Sequence, residues 1–456
     1  MNKVAVSTRV AYAAGDTAGQ LIFAVISNYL LYFYTDVYGL SVGVAGTILL
    51  VARFVDAVDA PVWGVILDKT RSRWGKSRPW FLWLCVPYAT FGVFTFLTPD
   101  LSGMAKVLYA AGTYIICGII FTGINTPLTS ILSALTPDPR QRVGLTTCRM
   151  IGSKAGVLLV NATALPLIAW LGHSNDQKGF RLTMLIYATG SVLLFLLTFR
   201  YLVEIIPIET SRMPIRRSFG AFKRNWPWII IALSTFCFWA AFISKMSASI
   251  YFFTYTMGRK DLVPLANSLD LVSLVSILFL GWMCKFLSKS VLWIIGLAGS
   301  IFGQLIVYGG AYNGSLTIVM IGWIFGIIMS GIAMTLPFSM LSDSVDFGEW
   351  KTGIRAAGLL TAVGAAFCLK VGAGIGGALP AWIMGAYGYV PRADQTPQAL
   401  TGIEIGFIWL PALFFALAII PVLFYKKYES MEPQIHAELE KRRKTPAESI
   451  GIPSEP

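Results

Sequence analysis

Long apolar runs follow one another along this chain almost without pause, separated by short polar or glycine-containing turns. Each is about 20 residues or more, enough to cross a hydrocarbon layer of about 30 Å as a helix. They fall at 10–35, 43–67, 79–98, 104–133, 144–171, 181–203, 227–256, 262–284, 291–311, 316–341, 357–386 and 402–425. A backbone in lipid must satisfy its own hydrogen bonds, and the strict alternation of barrel strands is missing, so the runs predict helices. The longest interior polar stretch, 204–226, follows the sixth run. It splits the chain into a bundle at 1–203 and a second at 227–425, with a polar tail at 426–456 that reads as short and flexible. The pattern thus predicts an all-α membrane protein of twelve transmembrane helices in two six-helix bundles. Gly64-Val65-Ile66-Leu67-Asp68-Lys69 closing the second span and Gly281-Trp282-Met283-Cys284-Lys285 closing the eighth give a faint echo between the halves.

Composition removes the alternatives. With 56% hydrophobic and only 13% charged residues and a mean hydropathy of +0.68, against about 25% charged residues in soluble domains, the chain cannot be a water-soluble globule. The first span holds Asp16 and lacks a small-residue cleavage site, so it is expected to stay as a helix. Cys85, Cys117, Cys148, Cys237, Cys284 and Cys368 lie singly in separate spans, a spacing that points to neither disulfides nor zinc. A net charge of +13 raises nucleic-acid binding, but the placement of the charge decides otherwise. With the N-terminus set on the cytoplasmic side, twenty-five of the 36 basic residues fall in inner segments and six in outer ones. That is a positive-inside bias, so both termini are expected in the cytoplasm and no nucleic-acid partner is needed.

The remaining basic residues, Arg53, Arg149, Lys154, Lys245 and Lys370, lie inside spans. A charge at the bilayer centre costs about 2.5–3.5 kcal/mol even on a lenient scale, so each demands a partner or a task. The second span is the richest, reading Arg53-Phe54-Val55-Asp56-Ala57-Val58-Asp59-Ala60-Pro61. Its three charges recur every third residue and share roughly one helix face, and Pro61 frees a nearby carbonyl. Two carboxylates turned to a cavity can hold a sodium ion or share a proton; equally, Arg53 can neutralise Asp56 and the group can lock helices together. Arg149, Lys154 and Lys370 suit donation to substrate hydroxyls or pairing with a substrate carboxylate, and Lys370 also suits neutralising the acids of the second span. Lys245 and Asp270 are expected to pair with each other. Asp16 with Gln20 one turn later suits hydroxyl recognition or helix packing. Most of the fourteen tryptophans sit at span ends, as an interfacial belt requires, so none is assigned to stack on a ligand.

No catalytic arrangement emerges. His173 and His436 fall in a loop and the tail, and there is no phosphate-binding loop, paired metal ligand or serine elbow. An enzyme is not expected, and uphill transport by such a chain must draw on an ion gradient.

Specific stretches carry a resemblance. Tyr34-Thr35-Asp36-Val37-Tyr38-Gly39-Leu40, the cluster of the second span, and Asp68-Lys69-Thr70-Arg71-Ser72-Arg73-Trp74-Gly75-Lys76-Ser77-Arg78-Pro79-Trp80 are the first of them. Asp343-Ser344-Val345-Asp346-Phe347-Gly348-Glu349-Trp350-Lys351 and Lys370-Val371-Gly372 follow in the second half. Together they resemble the glycoside–pentoside–hexuronide:cation symporter family of the major facilitator superfamily, over residues 9 to 425. The resemblance implies the major facilitator fold and symport of a sugar, glycoside or hexuronide with Na+ or H+ by alternating access. It implies a cation site at Asp56 with Thr122, and sugar contacts or sugar-to-ion links at Gln20, Asn125, Arg149 and Lys370, to which the reading above adds Asp16. Gln20 and Asn125 stand where melibiose permease has carboxylates, and an amide still bonds hydroxyls in both directions.

One departure bears on the ion. The family reads Asp-Ala-x-x-Asp-Pro, whereas here Ala60 holds the second acidic position and Asp59 precedes it, about 100° away around the helix. Asp59 joins the cation-site candidates, and Na+ against H+ stays open. On the inner side, Asp343, Asp346 and Glu349 face the basic loops at 69–78 and at Arg140 and Arg142 in the predicted topology, and are expected to gate the cytoplasmic side. No cofactor is expected beyond the coupling cation; the expected partners are a sugar or glycoside and membrane lipid, in a monomer of the bacterial inner membrane. The competing readings are a lipid or drug carrier of the same fold, a weakly coupled sugar uniporter, and a sugar sensor.

Overall fold

A computed structural model of the chain describes residues 5–136, 139–173, 175–204, 225–352 and 368–444. The central loop expected at 204–226, apart from its ends, and the tail beyond 444 lie outside the described residues. Twelve main helical segments, with a four-residue helix at Leu132–Leu135 between the fourth and fifth, succeed one another among the described residues, with no strand between them. They are α1 (Val6–Val37), α2 (Val42–Lys69), α3 (Arg78–Thr95), α4 (Gly103–Ser130), α5 (Pro139–Gly172), α6 (Asp176–Tyr201), α7 (Trp226–Thr256), α8 (263–283), α9 (Lys289–Tyr312), α10 (Leu316–Thr352), α11 (Cys368–Ala386) and α12 (397–444). Among the described residues, nine are long and apolar enough to cross a membrane by length and composition. The other three are α2, which carries Arg53, Asp56 and Asp59; α3, which is short; and α8, which is broken. In α8 a tighter turn at Leu269–Val272 separates Val263–Ser268 from Ser273–Met283.

Helix contacts repeat between the halves. In the first half α1 packs on α5 and α6, α3 on α4 and α6, and α2 on α4; in the second, α7 packs on α11 and α12, α9 on α10 and α12, and α8 on α10. The halves meet where α1 touches α7, α2 touches α11 and α5 touches α8. This set maps onto itself when the halves are exchanged, the mark of a two-fold-related pair of bundles.

Local chemistry repeats too. Phe33-Tyr34-Thr35-Asp36-Val37-Tyr38-Gly39 and Phe252-Phe253-Thr254-Tyr255-Thr256-Met257-Gly258 both widen the last turn of the first helix of their half and end on a glycine, at φ 77° and 64°. Likewise, the carboxylate that follows α6, Glu204, accepts from the amides of Lys76, Ser77 and Arg78 at 3.0, 2.6 and 3.0 Å, capping α3. Its counterpart Glu429 caps α9 through the amide and hydroxyl of Ser290, at 2.8 and 2.6 Å. Glu204 thereby fixes the basic loop at 69–78, and Gly75, at φ 105°, lies so close that a side chain would strike its carboxylate. Glu204→Gln weakens charged acceptance at a helix N-terminus and is expected to cost about 1–2 kcal/mol. A lowered thermal midpoint in detergent is the readout, and an unchanged one would show the cap to be idle.

Packing is closest where small residues let backbones touch. A methyl group at Gly152 of α5 would overlap the Ala13 carbonyl of α1, and one turn later Gly156 seats Thr17 and Gln20. The lipid-facing positions, such as Val58, Val62 and Val65 of α2, stay apolar and exposed. The expected flexible tail is corrected over its first part: α12 continues through Lys444, with Ile435 and Leu439 buried on the second bundle. Those two side chains recur at helical spacing, and burying them stabilises helix where the polar composition suggested coil.

Candidate functional site

Two faces of the first bundle look across the seam. On α1, Asp16, Gln20, Phe23 and Ser27 recur at helical spacing. On α4, Gly118, Thr122, Asn125 and Thr129 do the same, spanning about 16 Å along the axis. At the inner end of these stripes the guanidinium of Arg149 reaches from α5 to three acceptors. Its Nε lies 3.2 Å from Asp16 Oδ2, one Nη donates to Thr129 at 3.0 Å and the other to Asn125 Oδ1 at 2.7 Å. The structure thus brings together three expected substrate residues, with Thr129 added. Gln20 lies one turn outward from Asp16, half-buried, and its amide makes no hydrogen bond with another described residue.

Farther out on the same stripes stands the acidic cluster of α2. Arg53 Nη1 lies 3.2 Å from Asp56 Oδ2, and its guanidinium rests 5.5 Å from the ring centre of Phe23. Asp56 abuts Gly118, where a methyl would come within 2.7 Å of its Oδ1. Lys370 crosses from α11, donating to the Asp56 carbonyl and standing 3.5 Å from Asp59 Oδ1. Neither Asp59 oxygen has a hydrogen-bond partner among the described residues, although Thr122 stands beside the carboxylate. Of the two readings of this cluster, the ion pair is seen: Arg53 pairs with Asp56, while Asp59 is a buried carboxylate with Lys370 of the opposite bundle beside it.

Elsewhere the pairing differs from expectation. Asp270 bonds Lys154 of the opposite bundle at 2.6 Å, while Lys245 lies over the Trp323 ring at 4.2 Å. The α5–α8 contact places Lys154, rather than Lys245, against the carboxylate. Toward the C-terminal end of α10, Asp343 binds Lys289 at 2.6 Å and accepts from Tyr425 at 3.2 Å, both within its own bundle. The side chains of Arg140 and Arg142 lie outside the described residues, and Asp346 and Glu349 stand half-buried one and two turns beyond Asp343.

A further cluster had no assigned role in the sequence reading. Asp36, 2% exposed, accepts from Tyr255 and Tyr389 of the second bundle, the latter at 2.9 Å, and from Thr35 at 2.6 Å. Thr35 also meets the Tyr251 hydroxyl at 2.8 Å, and Lys260 donates to Tyr32 at 2.8 Å. Farther in, Asn28 donates to Asn161 at 2.7 Å, and Asn161 to the Asn267 carbonyl at 3.0 Å. These bonds close the seam at the end of α1 away from its N-terminus, and the pocket left between them and Arg53 is about 20 Å³, room for a single water. Asp36 and Tyr255 hold equivalent places in the repeated segment, so comparing the two seven-residue stretches could have found them.

A protein-family comparison matches residues 11–427 to a family described as MFS/sugar transport protein. The isoprimeverose transporter of Lactiplantibacillus pentosus is 39% identical over 445 residues, covering 97% of this chain and 92% of its own. The uncharacterized symporter YnaJ of Bacillus subtilis strain 168 is 32% identical over 450 residues, 97% of this chain and 96% of its own. Among solved structures, a bacterial homolog of the human lysosomal transporter Spinster, inward-facing and unoccupied, aligns with a TM-score of 0.66 at 13% identity. That alignment covers 94% of this chain and 97% of the other and is a likeness of fold.

Proposed function

This chain belongs to the MFS/sugar transport protein family, and on that premise we propose that it carries a sugar or glycoside across a membrane together with a cation, by alternating access. It is an integral membrane protein; the reading sets it in a bacterial inner membrane as a monomer, both termini cytoplasmic, as the distribution of basic residues favours. The observation that carries the proposal is the meeting of Asp59 with Lys370. A carboxylate without a hydrogen-bond partner among the described residues is tied to the opposite bundle by one lysine, beside the α1 and α4 stripes. Binding Na+ or H+ at Asp59 and Asp56, with the Thr122 hydroxyl, competes with Lys370 for the same charge. Ion binding and the juncture of the bundles are thereby linked, which is what coupling requires.

Sugar hydroxyls fit the other part of the site. The Gln20 amide, which has no hydrogen-bond partner among the described residues, and the Asn125 amide held by Arg149 offer donors and acceptors on neighbouring helices. The isoprimeverose transporter among the relatives supports a small saccharide as cargo. Asp343, Asp346 and Glu349 serve on the inner side, in this reading, as gate residues that exchange partners when the bundles rock.

The test is purified protein in liposomes, offered pentosides, hexosides and uronates under separately imposed sodium and proton gradients. Accumulation of at least one glycoside under one gradient is expected. Asp59→Asn should then permit exchange of labelled glycoside across the membrane but no accumulation. Gradient-driven accumulation by that variant would remove Asp59 from the ion site, and dye or lipid uptake without glycoside flux would overturn the substrate class.

A further inference from the structure

Lys245 is buried in the second bundle, 5% exposed, and among the described residues it makes neither a hydrogen bond nor an ion pair. Its ammonium lies over the Trp323 ring, 3.4 Å from where a methyl on Gly326 would sit, and among the described residues the carboxylate whose charge acts on it is Asp270. Asp270 is itself taken by Lys154 of the first bundle. The three groups carry two positive charges and one negative, so one lysine is always left over.

We infer that Asp270 changes partner during the transport cycle, held by Lys154 while the outer side is closed and by Lys245 when it opens. The outer seal runs through the α5–α8 contact, where Asn161 meets Asn267 two turns beyond Lys154 and one turn beyond Asp270. Opening that seam must carry Lys154 away from Asp270, and a carboxylate stranded in the membrane is costly. Lys245 belongs to the same bundle as Asp270 and moves with it. The segment bearing Asp270 is the tight turn of α8, a break in the helix that lets the side chain be re-aimed. Asp270 is paired in both states. With the seam closed, Lys245 rests on the face of Trp323, a favourable seat for a desolvated cation; with it open, Lys154 faces the water let in from outside.

This rests on the alternating-access reading, so the measurement is of distance rather than flux. Spin labels at the exposed outer positions 178 and 261 of the full chain in liposomes report the separation of the bundles. Lys245→Met is expected to shift the population roughly tenfold toward the short distance, and Lys154→Met to shift it comparably toward the long one. No shift with Lys245→Met, or shifts of the two variants in one direction, would overturn the exchange. Should Lys245→Met fail to reach the membrane, Asp270→Asn serves, because it needs neither lysine. In its background Lys154→Met must leave the distances unmoved, and a shift as large as in the parent refutes the inference. If glycoside and gradients never move the distances of the parent protein, alternating access fails and the exchange with it. If they do while Lys245→Met changes nothing, the exchange alone is refuted.

Discussion

Replacing Lys370 with methionine is expected to abolish gradient-driven glycoside accumulation and to cut exchange by more than about 100-fold. The methionine keeps most of the lysine stem but removes the charge that, among the described residues, reaches both the Asp56 carbonyl and the Asp59 carboxylate from the opposite bundle. Taking away one partner of a buried ion pair costs about 3–5 kcal/mol, because the other charge remains, and each 1.36 kcal/mol on a barrier is about tenfold in rate. The remedy is equally specific: Lys370→Met combined with Asp59→Asn removes the stranded charge and should recover exchange, though not accumulation. Flux assays of the single and double variants decide the matter. Full accumulation by Lys370→Met alone would mean that the contact seen across α2 and α11 has no part in coupling.

Arg149→Gln is the second large effect. It strips the common donor from Asp16, Asn125 and Thr129 and leaves the half-buried Asp16 carboxylate without its ion-pair partner, at a cost approaching the about 3–5 kcal/mol of a broken buried pair. Binding and exchange should both vanish, whatever gradient is applied, whereas Asp59→Asn spares exchange. Arg149→Lys separates charge from geometry. A lysine ammonium can neutralise Asp16 but cannot serve three acceptors in the plane of a guanidinium, so apparent affinity should drop about tenfold or more while some flux survives. Wild-type affinity in the lysine variant would reduce Arg149 to a neutralising charge and remove it from substrate recognition.

Much of this site was legible along the chain because charge in an apolar span has few explanations. Arg53, Asp56, Asp59, Arg149 and Lys370 announced themselves by cost alone, and the resemblance of the flanking motifs supplied Gln20, Asn125 and Thr122. What failed was partner choice. Lys245 and Asp270, on consecutive helices, looked like a natural pair, but Asp270 lies on the α5 side of the seam and meets Lys154 instead. The expectation that Asp343 bridges to basic loops of the other bundle concerns the state closed on that side and is not decided by its bond here to Lys289 of its own bundle. The tail failed for a related reason: Ile435 and Leu439 are too sparse to signal a helix by composition, and gain their burial only from a surface that other helices build.

The sequence by itself determined the membrane, the all-helical class and the set of charges that must be neutralised within the apolar segments. Those follow from hydrophobic length and the cost of burying charge, which act residue by residue. Only the tertiary structure decided which charge meets which, that Asp36 and Tyr255 join the two bundles, and that Asp59 is left without a hydrogen-bond partner among the described residues. An ion pair depends on where two helices cross and how each is turned, and that is fixed by packing between segments far apart in the chain.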